Sequence, residues 1–363
     1  MVGHDPKVRE LIRQFVGVRV IQANAMDLSL FQFDYDMSFA VHFLNADRTV
    51  YARYGSRRGN EEEADDEMSL EGLAETMNGV LALHASYPAN KGTLVGKQPK
   101  VDVSFPVPEK HPLLKKYKSK LDYEGKVAGS CIHCHQIRDT SRRALRDSGD
   151  VLPHKLLTPY PMPSVLGIEM DPKTAATVRE VAPKSLAAKA GLAVGDVVVQ
   201  MRSQPILSLA DMQWVLHHTS EAGALTLKVS RGGAAKDVIL TLAEDWDQVS
   251  DIGWRVSTWD LRRMGLGGMR LVELSQGERK SLGIMAGKLG LRAKNVGQYG
   301  DHAVAKKAGM KIGDVITSFA GLDDAMSEGV LIKAVLGKRK RGEKILLTYL
   351  RDGKEKTAEI RLQ

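Results

Sequence analysis

Apolar positions along the chain change their period from segment to segment, and each period predicts an element. Val8, Leu11, Ile12 and Phe15 fall on one face of a helix over residues 5–16, with Asp5 as its cap and Pro6 in its first turn. Val16, Val18 and Val20 alternate, which predicts a strand from Val16 to Gln22. Phe39 to Leu44 reads as a second strand. Asn45-Ala46-Asp47-Arg48 then turns the chain into a third, Val50 to Tyr54. The acidic run Glu61–Glu67 reads as a loop. Ser69 caps an amphipathic helix reaching His84, with Leu70, Leu73, Met77, Val80 and Leu81 as its stripe. Residues 94–120, with four prolines, read as a linker. No apolar run approaches 18 residues, so no transmembrane segment is expected.

The C-terminal half contains a repeat. Ala190-Gly191-Leu192-Ala193-Val194-Gly195-Asp196-Val197-Val198 returns as Ala308-Gly309-Met310-Lys311-Ile312-Gly313-Asp314-Val315-Ile316. Each copy is followed by a strand hairpin, around Gly232-Gly233 and Asp352-Gly353. A period this long means two homologous domains rather than a solenoid. The repeated word resembles PDZ domains of the bacterial HtrA type. That resemblance implies protein C-termini as partners. Ser164-Val165-Leu166-Gly167-Ile168 resembles the family's carboxylate-binding loop, so the N–H groups of Leu166, Gly167 and Ile168 are expected to hold a C-terminal carboxylate. The helix at 209–216, with Met212 and Leu216, would form the other wall. The alternative is a groove occupied by the chain itself. In the second copy the loop would be Leu282–Ile284 or Leu289–Leu291, after a glycine-rich stretch at 265–268, and that copy is expected to be mainly structural.

HtrA proteins carry a serine protease domain. This sequence has no G-x-S-x-G or G-N-S-G-G word, and no His/Asp/Ser set at protease spacing precedes the first PDZ-like copy. The expectation is therefore of a chain that is not an enzyme.

The net charge of +8 is uneven. Residues 1–93 hold 9 Lys/Arg against 14 Asp/Glu, and residues 94–160 hold 13 against 7, which suggests a boundary near residue 94. The basic runs are short and no zinc-finger, RRM or KH word accompanies them, so nucleic acid is not an expected partner.

Both cysteines sit in one word, Cys131-Ile132-His133-Cys134-His135, which matches the C-x-x-C-H attachment site of c-type haem. In that reading Cys131 and Cys134 carry one haem c covalently and His135 is the proximal ligand. Tyr160-Pro161-Met162-Pro163 resembles the loop that supplies the distal methionine of cytochromes c, with Met162 as the ligand and His154 as its rival. Residues 121–130 and 141–147 would be the flanking helices. Arg142, Arg143 and Arg146 would either pair with propionates or form a solvated face. Zinc, completed by His133 or His135 with His111 or His154, and a plain or inert dithiol are the alternatives.

Residues 1–93 resemble the second half of a thioredoxin-like domain, carried by the strand–turn–strand Phe39–Tyr51. They lack its C-x-x-C and a proline before Phe39. The expected fold class is thus multidomain α/β and α+β. It comprises a partial thioredoxin-like domain (1–93), a linker (94–120), a cytochrome c-like segment (121–162), and PDZ-type β-barrel or sandwich domains at 163–245 and 252–363. The combination resembles multidomain periplasmic proteins of planctomycete-type bacteria. Haem attachment implies a periplasmic location, with a signal peptide and the missing thioredoxin half expected upstream of Met1. The expected function is electron transfer or redox sensing with a redox partner protein, the PDZ domains docking C-termini. The alternative is a non-enzymatic PDZ scaffold whose cysteine word binds zinc or is vestigial.

Overall fold

The computed structural model describes residues 5–37, 39–56, 68–100, 105–219 and 222–363. The acidic run 61–67 lies outside them. The chain divides into two compact units. One comprises residues 1–134 and 159–247, the other residues 135–158 and 248–363.

The first unit opens with α1 (Pro6–Ile12), where the Asp5 side chain accepts from Val8 N–H. The expected strand at 16–22 is absent. Val16 and Val18 are 95% and 84% exposed, and no partner strand satisfies their backbone among the described residues. Alternation alone does not make a strand without a ladder. β1 (Val41–Leu44) and β2 (Val50–Tyr54) pair antiparallel as expected. Helix α2 (Leu70–Ala85) is capped by Ser69, whose Oγ accepts from Gly72 N–H. Its Met77 and Val80 join Val8, Leu11, Phe43 and Tyr51 in one core. A different face of α2 is small. A Cβ on Gly72 would lie 2.2 Å from Pro172 O, and one on Gly79 2.7 Å from Leu207 Cδ2. Between them Thr76 Oγ1 lies 2.9 Å from Leu207 O. This face lets α2 lie close on the first repeat.

The helix expected at 121–130 shrinks to α3 (Val127–Ser130), because the Asp122 side chain and Gly125 form a turn instead. Helix α4 (Cys134–Asp147) starts seven residues before the expected 141, and α5 (His154–Leu157) follows.

The first repeat runs β3 (Ile168–Met170), β4 (Val178–Val181), α6 (Leu186–Lys189), β5 (Val197–Met201), β6 (Gln204–Pro205), α7 (Leu209–His217), β7 (Gly223–Arg231) and β8 (Ala234–Leu242). Its sheets have the orders β3-β4 and β6-β5-β7-β8. In the second unit come α8 (Thr258–Leu266), β9 (Met269–Glu273), α9 (Gln276–Ser281), β10 (Leu291–Val296), α10 (Val304–Lys307), β11 (Val315–Phe319), α11 (Glu328–Leu336), β12 (Lys344–Arg351) and β13 (Lys354–Arg361). They form one five-stranded sheet, β13-β12-β11-β10-β9. Each repeat has its own hydrophobic core.

The repeated word does the same work twice. Arg231 bonds Asp196 through Nε and Nη2, both at 2.7 Å, and Gly191 O at 2.8 Å. Arg351 bonds Asp314 through the same nitrogens at 2.6 Å, and Gly309 O at 2.8 Å. The second Asp oxygen also takes a turn N–H, from Ala193 or Lys311.

Candidate functional site

In the first repeat a short 3₁₀ turn, Pro163–Leu166, ends at Gly167, whose φ of +83° lies in the left-handed region. A Cβ there would meet Ser185 Cβ at 2.2 Å, so glycine is required twice over. Gly167 N–H bonds back to Pro163 O and Ser164 O, so this donor of the expected carboxylate loop is already spent. Gly167 O accepts from Ala182 N–H on the β4 side. Alternation in the antiparallel pair then turns the N–H of Ile168 away from β4. Val178 N–H points to Asp196 O on the β5 side, so the N–H of its partner Met170 also faces outward. β3 thus presents a donor edge toward the outside of its sheet.

Side chains are placed differently from expectation. Leu166, Ile168, Met212 and Leu216 all lie in the core of the first repeat, nearly or wholly buried. The side chains of Met212 and Leu216, expected on a groove wall, are taken up by the core, and so are those of Leu166 and Ile168, whose expected contribution was through backbone N–H groups. The backbone of Ile168 and the α7 residues Leu209 and Gln213 remain as groove elements. Helix α7 is buried from Ala210 to Leu216 on every face. The cover comes from Arg53, whose guanidinium lies 3.6 Å from the Trp214 ring centre, and from the Lys97–Asp211 ion pair, wholly buried at 2.5 Å. Burial pushes the Lys97 ammonium down and the Arg53 guanidinium down to about 10, and Asp211 opposes both shifts.

The second repeat has its own version of the loop, but not at 282–284 or 289–291. Leu282 ends α9, and Leu291 begins β10, which lies between β9 and β11 with no free edge. The equivalent turn is Gly267-Gly268, with φ of +63° and +86°, between α8 and the edge strand β9. Gly268 N–H caps α8 by bonding Arg262 O. Ala293, the partner of Leu271, donates to Asp314 O on the β11 side, so Leu271 N–H faces outward. It is taken by Glu328 Oε1 at 2.6 Å. Glu328 is the first residue of α11, where α7 has Leu209, and Arg262 holds the same carboxylate through Nε and Nη2. The space between β9 and α11 is bridged by one side chain.

The cysteine word packs on residues 23–24. Ile132 is fully buried, Ala23 N–H donates to Ile132 O, and Ile132 N–H donates to Asn24 Oδ1 at 2.8 Å. Cys131 and Cys134 form no disulfide, and burial pushes the Cys134 thiol up. His135 Nδ1 lies 3.1 Å from Asp139 Oδ2. Met162 Sδ already faces Gln213 Nε2 at 3.1 Å. Among the described residues no group of three or more His, Cys, Asp or Glu side chains converges as a metal site. The arginines expected to meet propionates or water are structural. Arg142 is buried and bonds Leu156 O and Ser257 Oγ, Arg143 grips Asp260, and Arg146 bonds Arg339 O and Gln363 O. The i, i+4 spacing of Arg142 and Arg146, shared with the buried Arg138, was the signal that sequence reasoning passed over.

Residues 164–242 and 295–362 match the PDZ domain family. The chain is similar to a probable periplasmic serine endoprotease, DegP-like, of Pseudomonas savastanoi pv. phaseolicola, 30% identical over 41% of this chain and 29% of the relative. It is also similar to the periplasmic serine endoprotease DegP of Escherichia coli, 35% identical over 26% of this chain and 22% of the relative. The HtrA-type protease AlgW with decapeptide is a structural likeness at 16% identity and TM-score 0.26, covering 51% of this chain and 54% of that one. The chain spans under a third of the length of these DegP relatives. Two expectations are overturned. The relatives are named endoproteases, not electron carriers, so the reading as a haem redox protein with a redox partner does not stand. The same names overturn the expectation that the chain is not an enzyme, although the matched share does not carry the relatives' activity across. No helix among the described residues is long and apolar enough to cross a membrane. The chain is multidomain, with PDZ domains in tandem, one in each unit.

Proposed function

We propose that the chain is an extracytoplasmic peptide-binding protein whose first PDZ domain takes the free C-terminus or an extended segment of another protein. The observation that carries this reading is the outward donor edge of Ile168 and Met170 on β3, facing α7 across the groove. Addition of a peptide as a further strand would satisfy those donors. The second PDZ domain has the same edge, but Glu328 has taken its donor. In this reading the second domain is structural. Residues 1–93, with their thioredoxin-like strand–turn–strand, act as scaffold against α7. The periplasmic names of the relatives support an extracytoplasmic location.

The test is selection of random peptides with free C-termini, displayed on phage, against the full chain. Selected peptides are expected to bind in solution at micromolar Kd and to weaken at least about tenfold when the C-terminus is amidated. Failure to select any sequence above background would overturn the reading.

A further inference from the structure

The first PDZ groove is not empty. From Arg53 at the end of β2 to Ser56 the chain lies beside the first half of α7. Ser208 Oγ, at the N-cap of α7, bonds Arg53 O, and Arg53 N–H donates to Asp211 Oδ1 at 3.2 Å. Three residues on, Ser56 Oγ donates to Gln213 Oε1 at 3.2 Å and lies 3.6 Å from Met162 Sδ, just ahead of the Pro163–Gly167 loop. The segment 53–56 therefore runs from the start of α7 toward the carboxylate loop. That is the sense in which a ligand with its C-terminus at Gly167 would run. Tyr54, Gly55, Ser56 and Met68 face Met170 and Leu209 across a residual cavity of about 20 Å³. That is room for roughly one water, not for a peptide side chain.

We propose that Gly55-Ser56, tethered to β2 through the docked Tyr54, is an occupant of the first PDZ groove, which a peptide must displace to bind. The inference rests on the peptide-binding reading above. Attachment is graded along the segment. Its base is anchored by the Arg53 backbone bonds, the Lys97–Asp211 pair and the small face of α2 on Pro172 and Leu207. Its tip is held by the neutral Ser56–Gln213 bond and by Ser56 N–H against Met68 Sδ. Gly55, at a φ of +126° that side chains avoid, lies between base and tip. The tip can swing out at Gly55 while the base stays docked. The two domains thus close their grooves by different means, one with a movable backbone segment and the other with the fixed carboxylate of Glu328.

The experiment uses the full chain and its Ser56→Arg variant. Ser56 is 2% exposed, and an arginine does not fit its slot, so the variant holds the tip out. Peptides selected on the variant are titrated into both proteins. Apparent affinity is expected to be at least about tenfold tighter for the variant, because the wild type must first open. In the wild type, bound peptide is expected to raise amide hydrogen exchange at residues 55–56 and to leave Arg53 unchanged. Equal affinities with unchanged exchange would leave peptide binding standing and overturn the occupant. No binding to either protein would overturn the peptide-binding reading and the occupant with it. If circular dichroism shows Ser56→Arg unfolded, Ser56→Ala replaces it with an expected gain of about threefold, and the wild-type exchange measurement decides on its own.

Discussion

Arg351 holds Asp314 by two parallel bonds of 2.6 Å, and 120 residues earlier in the chain Arg231 holds Asp196 in the same geometry. The aspartate side chains are out of water while the arginines are partly solvated. Each carboxylate also receives a turn N–H. Asp196→Ala leaves that N–H and the guanidinium without an acceptor and is expected to cost about 2–3 kcal/mol. Arg231→Ala keeps the turn N–H on Asp196 and opens that carboxylate to water, so it should cost less. Urea unfolding of the two variants checks the order.

His42 gives the first unit a pH dependence. Burial, and then the nearby Arg53 charge, push its imidazole down to about 3, against a bond with Gln32 backbone. The folded ring is therefore neutral, while the unfolded ring takes a proton near its ordinary value of about 6.5. Stability is expected to be full above that value and to fall as pH drops from about 6.5 toward 3. Asp196, held below the usual carboxylate range by Arg231, loses its contribution only at lower pH. His42→Phe, whose ring suits contact with Phe31 and Phe33, should flatten the unfolding midpoint between about pH 6.5 and 4.5. An unchanged slope would remove His42 as the cause.

Gly167 and Gly195 have nearly the same φ, +83° and +84°. They differ in space. A Cβ on Gly195 meets nothing within 4 Å, whereas one on Gly167 would overlap Ser185. Gly195→Ala is expected to cost about 1–2 kcal/mol from φ alone. Gly167→Ala should exceed that by at least about 2 kcal/mol, because the Pro163–Gly167 turn has to shift. Thermal denaturation of both variants reads the difference.

Glu328→Ala leaves Arg262 buried beside an empty site and Leu271 N–H without its acceptor. The expected cost is about 3–5 kcal/mol. Glu328→Leu with Arg262→Leu removes both charges and copies Leu209 of the first repeat. Its cost should be well below the sum of the single variants. Additivity in a double-mutant cycle would show that the two side chains do not act as a pair.

Much of this fold was legible in the chain. Asp5 and Ser69 mark helix starts by side-chain chemistry local to a few residues, and Asn45–Arg48 marks a turn the same way. The repeated glycine–aspartate word located both PDZ copies because its turn is closed by its own residues. Properties that depend on distant partners were not legible. Val16–Val20 has a strand's pattern and no strand to pair with among the described residues. The second carboxylate-type turn at Gly267-Gly268 was hidden because β9 precedes the repeated word by some 40 residues. The C-x-x-C-H word is specific as a string, yet its Ile132 is spent on packing against residues 23–24. Arg142 and Arg146 of α4 look solvated in sequence and are instead threaded among backbone carbonyls.

The bond from Leu271 to Glu328 also bears on valency. A tandem of two working PDZ domains could hold two tails of one partner and gain avidity through effective concentration. With the second donor edge taken by its own helix, a peptide titration of this chain should saturate at one equivalent. A partner bearing two tails would then gain nothing over a partner bearing one.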